Sequence, residues 1–302
     1  MNGMKRKKRI SLFDLINNML IILITFVLAY PLYFCIIASF SDPEKVALGQ
    51  TLIWVKDFTL EAYKNIMNET QLWVGYKNTL IYTFFGTLYN LALTIPAAYV
   101  LSKKNLPFHG LLSWFFFLTM YLSGGMIPTY LLIKSLKLLN NPLVMIIGSG
   151  VSAYNLIVAR QYFSSSIPNE LYEAAYIDGA SEWKAFTNIA IPLSKPILAV
   201  LSLYYGVSHW NSYYNALLYL YKEKYHPLQL VLKKILINNQ NTFMMDDLGT
   251  SVETMKYLIE KARMAQGMKY SIIFIASAPL LILYPFLQKY FTKGIMIGSV
   301  KG

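Results

Sequence analysis

The sequence predicts an all-α membrane protein with six transmembrane helices and both termini on the cytoplasmic side. Three observations predict it. Charged residues fill only 14% of the 302 positions, whereas 56% are apolar and the mean hydropathy is +0.42. An ordinary soluble chain is charged at about a quarter of its positions, so the deficit reads as surface facing lipid. Six apolar runs each reach the length of about 20 residues that a helix needs to cross the hydrocarbon, and the densest basic run lies directly before the first of them.

Residues 1–14 form a basic tail. Its run Lys5, Arg6, Lys7, Lys8 and Arg9 is the flank expected on the cytoplasmic side of a span. The first span covers residues 15–37, too long for a signal-peptide core of about 7–15 residues. No small-x-small cleavage pattern precedes Ser39, so the segment reads as a retained anchor. The second span covers residues 78–101, and the short loop with Lys103 and Lys104 falls inside.

The third span, residues 111–133, is interrupted by Ser123, Gly124 and Gly125 ahead of Pro128. That predicts a kink or unwound turn, tolerated where the freed backbone groups face protein or water. Tight packing is the other reading. The fourth span, residues 143–163, carries Gly148, Ser149, Gly150, Ser152 and Ala153. Small residues let helix backbones approach, so this cluster is expected to be a packing face.

The fifth span covers residues 196–220. A long outer connection, residues 221–268, follows with seven basic and five acidic residues. Lys134, Lys137 and this connection place positive charge outside, but the charge rule weakens as loops lengthen. Within the connection, Leu228, Val231, Leu232, Ile235 and Leu236 recur at helical spacing, with Lys233 and Lys234 on another side. They predict an amphipathic helix at the outer surface, with a second helical stretch over 254–265. The sixth span covers residues 269–291, and Lys289, Lys293 and Lys301 mark an inside tail.

The same residues exclude several functions. The net charge of +12 could suggest nucleic acid, but the basic residues sit mostly at the ends of apolar runs. Cys35 is the only cysteine, and His109, His209 and His226 lack the spacing of a helical metal pair. No Gly-x-x-x-x-Gly-Lys-Ser/Thr loop occurs, so the chain holds no P-loop for ATP. No span contains a carboxylate. That argues against a secondary, ion-coupled transporter, the alternative reading, because such proteins usually keep ionisable groups near the midplane. For a membrane-embedded enzyme, His209 is the one candidate base, and no carboxylate lies near it in sequence.

The connection between the fourth and fifth spans, residues 164–192, carries the most information. Pro168 suits a first helical turn with Ser166 as its cap. Glu170 and Glu173 lie toward the positive end of that helix. Gly179 is placed to end it, Ser181 to cap a second short helix, and Pro192 precedes re-entry into the membrane. The first helix is about ten residues long, below the roughly 12–15 at which an isolated helix holds in water. It therefore needs a surface. Leu171, Ala174 and Ala175 lie on one side and offer a flat patch, either to the chain's own spans or to another protein.

The pattern Glu173, Ala174, Ala175, then Gly179, then Ile189, Ile191 and Pro192 resembles the EAA loop of binding-protein-dependent ABC importer permeases. The one departure is Ile191, where that family has leucine. The ending from Lys293 and Gly294 through Gly298 to Lys301 and Gly302 is similar to the carbohydrate-uptake branch related to the maltose permeases, and closest to its oligosaccharide subgroup. The resemblance spans nearly the whole chain. It implies a multi-pass subunit of the bacterial cytoplasmic membrane that forms a pathway with a second, homologous permease. Two cytoplasmic ATPase subunits bind ATP and Mg²⁺, leaving this chain without a cofactor or catalytic site. An extracytoplasmic solute-binding protein delivers the sugar or oligosaccharide. Glu173, Ala174, Ala175, Gly179, Ile189 and Pro192 are then the residues of the ATPase-coupling loop. His209, Trp210, Asn211, Tyr213, Tyr214 and Asn215 occupy the outer half of the fifth span, where aromatic faces and amides suit sugar rings and hydroxyls. They are candidates for lining the pathway, with an interfacial aromatic belt as the other reading.

Overall fold

The computed structural model describes residues 12–241, 268–283 and 285. The basic run 5–9, the stretch expected to be helical over 254–265, and the tail from Lys289 to Gly302 lie outside the described residues.

The described residues form helices and no strands. In order these are α1 (Leu12–Ser39), α2 (Pro43–Ala47), α3 (Glu61–Met67), α4 (Thr70–Ser102), α5 (His109–Leu118), α6 (Met126–Ser135), α7 (Val144–Ile147), α8 (Ala153–Ser166), α9 (Asn169–Ile177), α10 (Glu182–Ala185), a π-helical turn Phe186–Ala190, α11 (Ile191–Leu193), α12 (Lys195–Trp210), α13 (Tyr213–Tyr219), α14 (Leu228–Asn241) and α15 (Met268–Leu283). By length and composition, α1 and α4 can each cross a membrane, and the bent pair 182–193 and 195–210, at 77°, would count as one more.

The chain divides into two compact units, residues 1–68 with 236–275, and residues 69–235 with 276–302. In the first, α1 beyond Asp14, Asn17 and Asn18 is apolar and exposed over most of its length, as a helix in lipid is. Its end is tied down: Tyr63 Oη donates to Ser39 Oγ at 2.7 Å, and Ser271 Oγ donates to Ser39 O at 3.3 Å. Phe40 stacks on Tyr63, with ring centroids 5.1 Å apart.

In the second unit, α4 is the central element. Its 33 residues would span about 50 Å at 1.5 Å per residue. Near one end, Ile95, Ala98, Tyr99 and Leu101 pack with Leu156, Ala159 and Phe163 of α8 and with Ile197, Leu201 and Tyr205 of α12. Near the other, Tyr82 belongs to a second core with Ile133, Val144, Met145, Ala216, Tyr219 and Leu230. The amphipathic helix expected from residue 228 forms as α14. Leu228, Val231 and Leu232 are buried, and Leu228 Cα would lie 3.1 Å from a Cβ on Gly75 of α4. Thr79 Oγ1 accepts from Leu228 N at 2.7 Å.

The apolar runs are more broken than the continuous helices expected of them. The turn foreseen at Ser123–Gly125 separates α5 from α6, with Gly125 at φ 86°. The small-residue cluster expected as a packing face instead interrupts the fourth run between α7 and α8, and Ser152 caps α8. The fifth run breaks at Asn211 and Ser212, between α12 and α13.

Candidate functional site

Two regions concentrate polar chemistry. The first is the helix–corner–helix segment after α8. Ile167, preceding a proline, is extended at φ −110° and ψ 116°, which ends α8 at Ser166. Ser166 is thus the last residue of α8 rather than the expected cap. Pro168 stands just outside α9 as its N-cap, at ψ 135°, and not in its first turn. The glycine corner forms as expected. Gly179 has φ 76°, Gly179 N donates to Tyr176 O at 3.1 Å, and Ala180 N donates to Ala175 O at 2.8 Å. This pair of bonds is a Schellman cap. Ser181 Oγ then accepts from Lys184 N at 3.3 Å and starts α10.

The burial pattern differs from the expected patch. Tyr172 is the buried residue of α9. Leu171, Glu173 and Ala174 are exposed, Ala175 is half-buried, and Ile177 is 86% exposed. The helix rests on its own chain through a tyrosine and leaves an apolar strip bare. Ile189 packs half-buried against the first core, and Pro192 is exposed in α11 ahead of the 77° bend.

The second region is a cavity of about 800 Å³ between α4, α6, α7, α8, α12 and α13. Asn90 organises its wall. Its Nδ2 donates to Gly150 O at 2.6 Å and also to Ser149 O, and its Oδ1 faces His209 Nε2 at 2.7 Å. Since a carbonyl oxygen only accepts, His209 Nε2 carries the proton. One amide thereby satisfies the broken fourth run and fixes the imidazole. Gly86 leaves room for that ring: a Cβ there would sit 2.4 Å from His209 Cε1. Deeper along the wall, Tyr205 Oη lies 2.7 Å from Thr94 Oγ1 and accepts from Ser152 N at 3.2 Å. Among the described residues, none lining the cavity is a Lys, Arg, Asp or Glu.

The six residues expected to line a pathway separate. His209 and Asn215 border the cavity, as do Ser208 and Ser212. Trp210 turns away: its ring is buried, Nε1 donates to Ala276 O at 3.0 Å, and it borders a separate apolar pocket. Asn211 is exposed at the end of α12. Tyr213 is exposed under Lys233 Nζ, 4.4 Å from its centroid, and Tyr214 Oη donates to Met126 Sδ at 3.0 Å. Sequence reasoning missed Asn90, Asn155 and Tyr205. The signal for Asn90 was present, because an amide inside an apolar run is costly unless it is bonded.

Residues 72–297 match the family described as binding-protein-dependent transport system inner membrane component. The chain is similar to Protein LplC of Bacillus subtilis (strain 168), 37% identical over 99% of this chain and 98% of that protein. It is also similar to the polygalacturonan/rhamnogalacturonan transport system permease protein YtcP of the same strain, 34% identical over 96% of this chain and 99% of that protein. Among solved structures it resembles a chain of a bacterial ABC transporter involved in the import of the acidic polysaccharide alginate. There the TM-score is 0.79 and the identity 32%, covering 96% of this chain and 100% of that one.

Proposed function

Because this chain belongs to the family of binding-protein-dependent transport system inner membrane components, and is a permease subunit of an ABC importer for a sugar or oligosaccharide, we propose that the α9–corner–α10 segment is its coupling element and the Asn90–His209 cavity part of its pathway. In this reading six spans place both termini in the cytoplasm of a bacterium and α9 on the cytoplasmic face. A second permease completes the pathway, and an extracytoplasmic binding protein loads it. Two ATPases bind ATP and Mg²⁺ and supply the energy. The observation that carries the reading is the bare strip of α9, with Leu171, Ala174 and Ile177 on a helix too short to persist without a partner.

The cavity walls suit the substrate class. Amides, hydroxyls, tyrosine rings and one imidazole can bond sugar hydroxyls and cover sugar faces. An oligosaccharide is therefore the proposed cargo, and the relatives named for polygalacturonan and alginate make an acidic one the first to test.

The test uses Gly179→Val and Glu173→Lys in the complete complex. A Cβ at Gly179 meets nothing within 4 Å, so valine there acts through its backbone alone. At φ 76° the strain is about 1–2 kcal/mol, enough to re-aim the corner. Glu173→Lys reverses the charge on the exposed face of α9. Both should leave the subunit in the membrane but abolish the stimulation of ATP hydrolysis by loaded binding protein. Normal stimulation in both variants would remove this segment from the coupling role.

A further inference from the structure

One side chain ties the end of α4 to the α9–α10 segment. Lys103 Nζ lies 3.6 Å from the ring centroid of Tyr172, 4.7 Å from that of Tyr99 and 5.6 Å from that of Tyr176. It also donates to Tyr176 Oη at 3.2 Å. Tyr176 Oη in turn donates to Glu182 Oε1 at 2.7 Å, and Tyr99 Oη donates to Glu182 Oε2 at 3.1 Å. An ammonium thus sits among three aromatic rings, and one carboxylate collects two of their hydroxyls.

The spacing makes this a junction of three elements. Tyr99 and Lys103 are four residues apart at the end of α4, Tyr172 and Tyr176 four apart on α9, and Glu182 opens α10. Pairs four apart share a helix face. Burial lowers the pKa of Lys103 against an opposing push from Glu182, and burial lifts that of Tyr172 to about 12. Both directions mark the buried side of the cluster, at Tyr99 and Tyr172, while Tyr176 and Glu182 stay exposed.

The location gives the cluster a task. Chain connectivity passes a displacement of α9 back into α8 and forward through α10 and α11 into α12. Along the chain α4 is more than sixty residues away, so α9 acts on it directly only through side-chain contact. This matters because α4 is the helix that holds Asn90 on the cavity wall. On the reading that α9 docks on an ATPase, we propose that Lys103 is a positioning residue of energy coupling, locking α9 to α4 so that ATP-driven displacement reaches the cavity.

The experiment uses the assembled complex with a bimane label on Ser208→Cys at the cavity and Cys35 replaced by serine. ATP with vanadate should shift the bimane emission. Lys103→Met should cut that shift by about fivefold or more, the low end of ordinary coupling, while trapped nucleotide stays at the parental level. Lys103→Arg should restore it, because the guanidinium keeps both the charge and the stacking. An undiminished shift in Lys103→Met overturns the inference. Should that variant not assemble, Tyr176→Phe serves instead: it removes only the exposed hydroxyl between Lys103 and Glu182, and an undiminished shift there overturns the inference equally. Glu173→Lys separates the two levels. If it too leaves the shift intact, the docking reading falls and takes this inference with it. If it abolishes the shift while Lys103→Met does not, the lock alone is refuted.

Discussion

Asn90 lies inside a 33-residue helix otherwise rich in apolar side chains, and its environment explains its presence. An unbonded amide there would cost several kcal/mol. Bonded to two carbonyls and an imidazole, it satisfies groups that no local partner reaches, the carbonyls being about sixty residues away along the chain. The seat depends on Gly86, one turn earlier. Gly86→Ala would press a methyl into the His209 ring, an overpacking worth about 1–3 kcal/mol. Asn90→Leu would strand the same carbonyls at a similar cost, about 1–3 kcal/mol. Both variants should lower the melting temperature of the purified complex. The double variant should lose less than the sum, since both act on one link. Full additivity would show that the two residues act separately. Of this site, His209 and Asn215 were legible as polar residues at the end of an apolar run. Asn90, whose signal was there, and Tyr205 go unseen because a reading built on run length passes over the polar exceptions inside the runs.

At the scale of elements, periodicity and turn chemistry succeeded where the cause is local. The period of α14, the Gly179 corner, the Ser181 cap and the Gly125 turn are each written in neighbouring residues. The break between α7 and α8 is not. Glycine and serine at 148–152 permit either close packing or an unwound turn, and the amide that decides the matter comes from α4. The segment leading into α14 is also held from a distance. Asn78 Nδ2 donates to Lys224 O at 2.8 Å and to His226 O at 3.0 Å, and Tyr82 Oη donates to Tyr225 O at 2.9 Å. His226 is buried there, with a ring nitrogen 3.2 Å from Leu220 O. Burial pushes its pKa below the ordinary value, and Lys234 pushes the same way against the Leu220 bond and Glu223. The neutral ring is therefore the folded form. Its share of stability is complete above about pH 6.5 and is lost as pH falls through the depressed folded value. Amide exchange over residues 226–231, corrected for intrinsic rate, should quicken between about pH 7.5 and about pH 5.5, and His226→Gln should remove the difference. Equal protection of the parent chain at both pH values would refute this.

For the whole molecule, the family was legible because one loop matches six of seven patterned positions, from Glu173 to Pro192, and composition alone supplies the membrane. The internal geometry was not, since a bilayer-length run says nothing of where a helix unwinds. One feature of the completed fold reaches beyond transport. Ile177 is 86% exposed and Trp183 is 70% exposed, beside Leu171 at 43%. On the reading that α9 docks on an ATPase, a chain inserted ahead of that partner would hold these side chains out into a crowded compartment, and bare apolar surface of that kind is an aggregation liability. It is also what chaperones and membrane proteases grip. The consequence is a biosynthetic one: the subunit's lifetime should be set by the supply of its partner. A pulse-chase without the ATPase gene should give a shortened half-life, and Ile177→Ser with Trp183→Ser should lengthen it again. An orphan as long-lived as the assembled subunit would mean that this surface is shielded by something other than the ATPase.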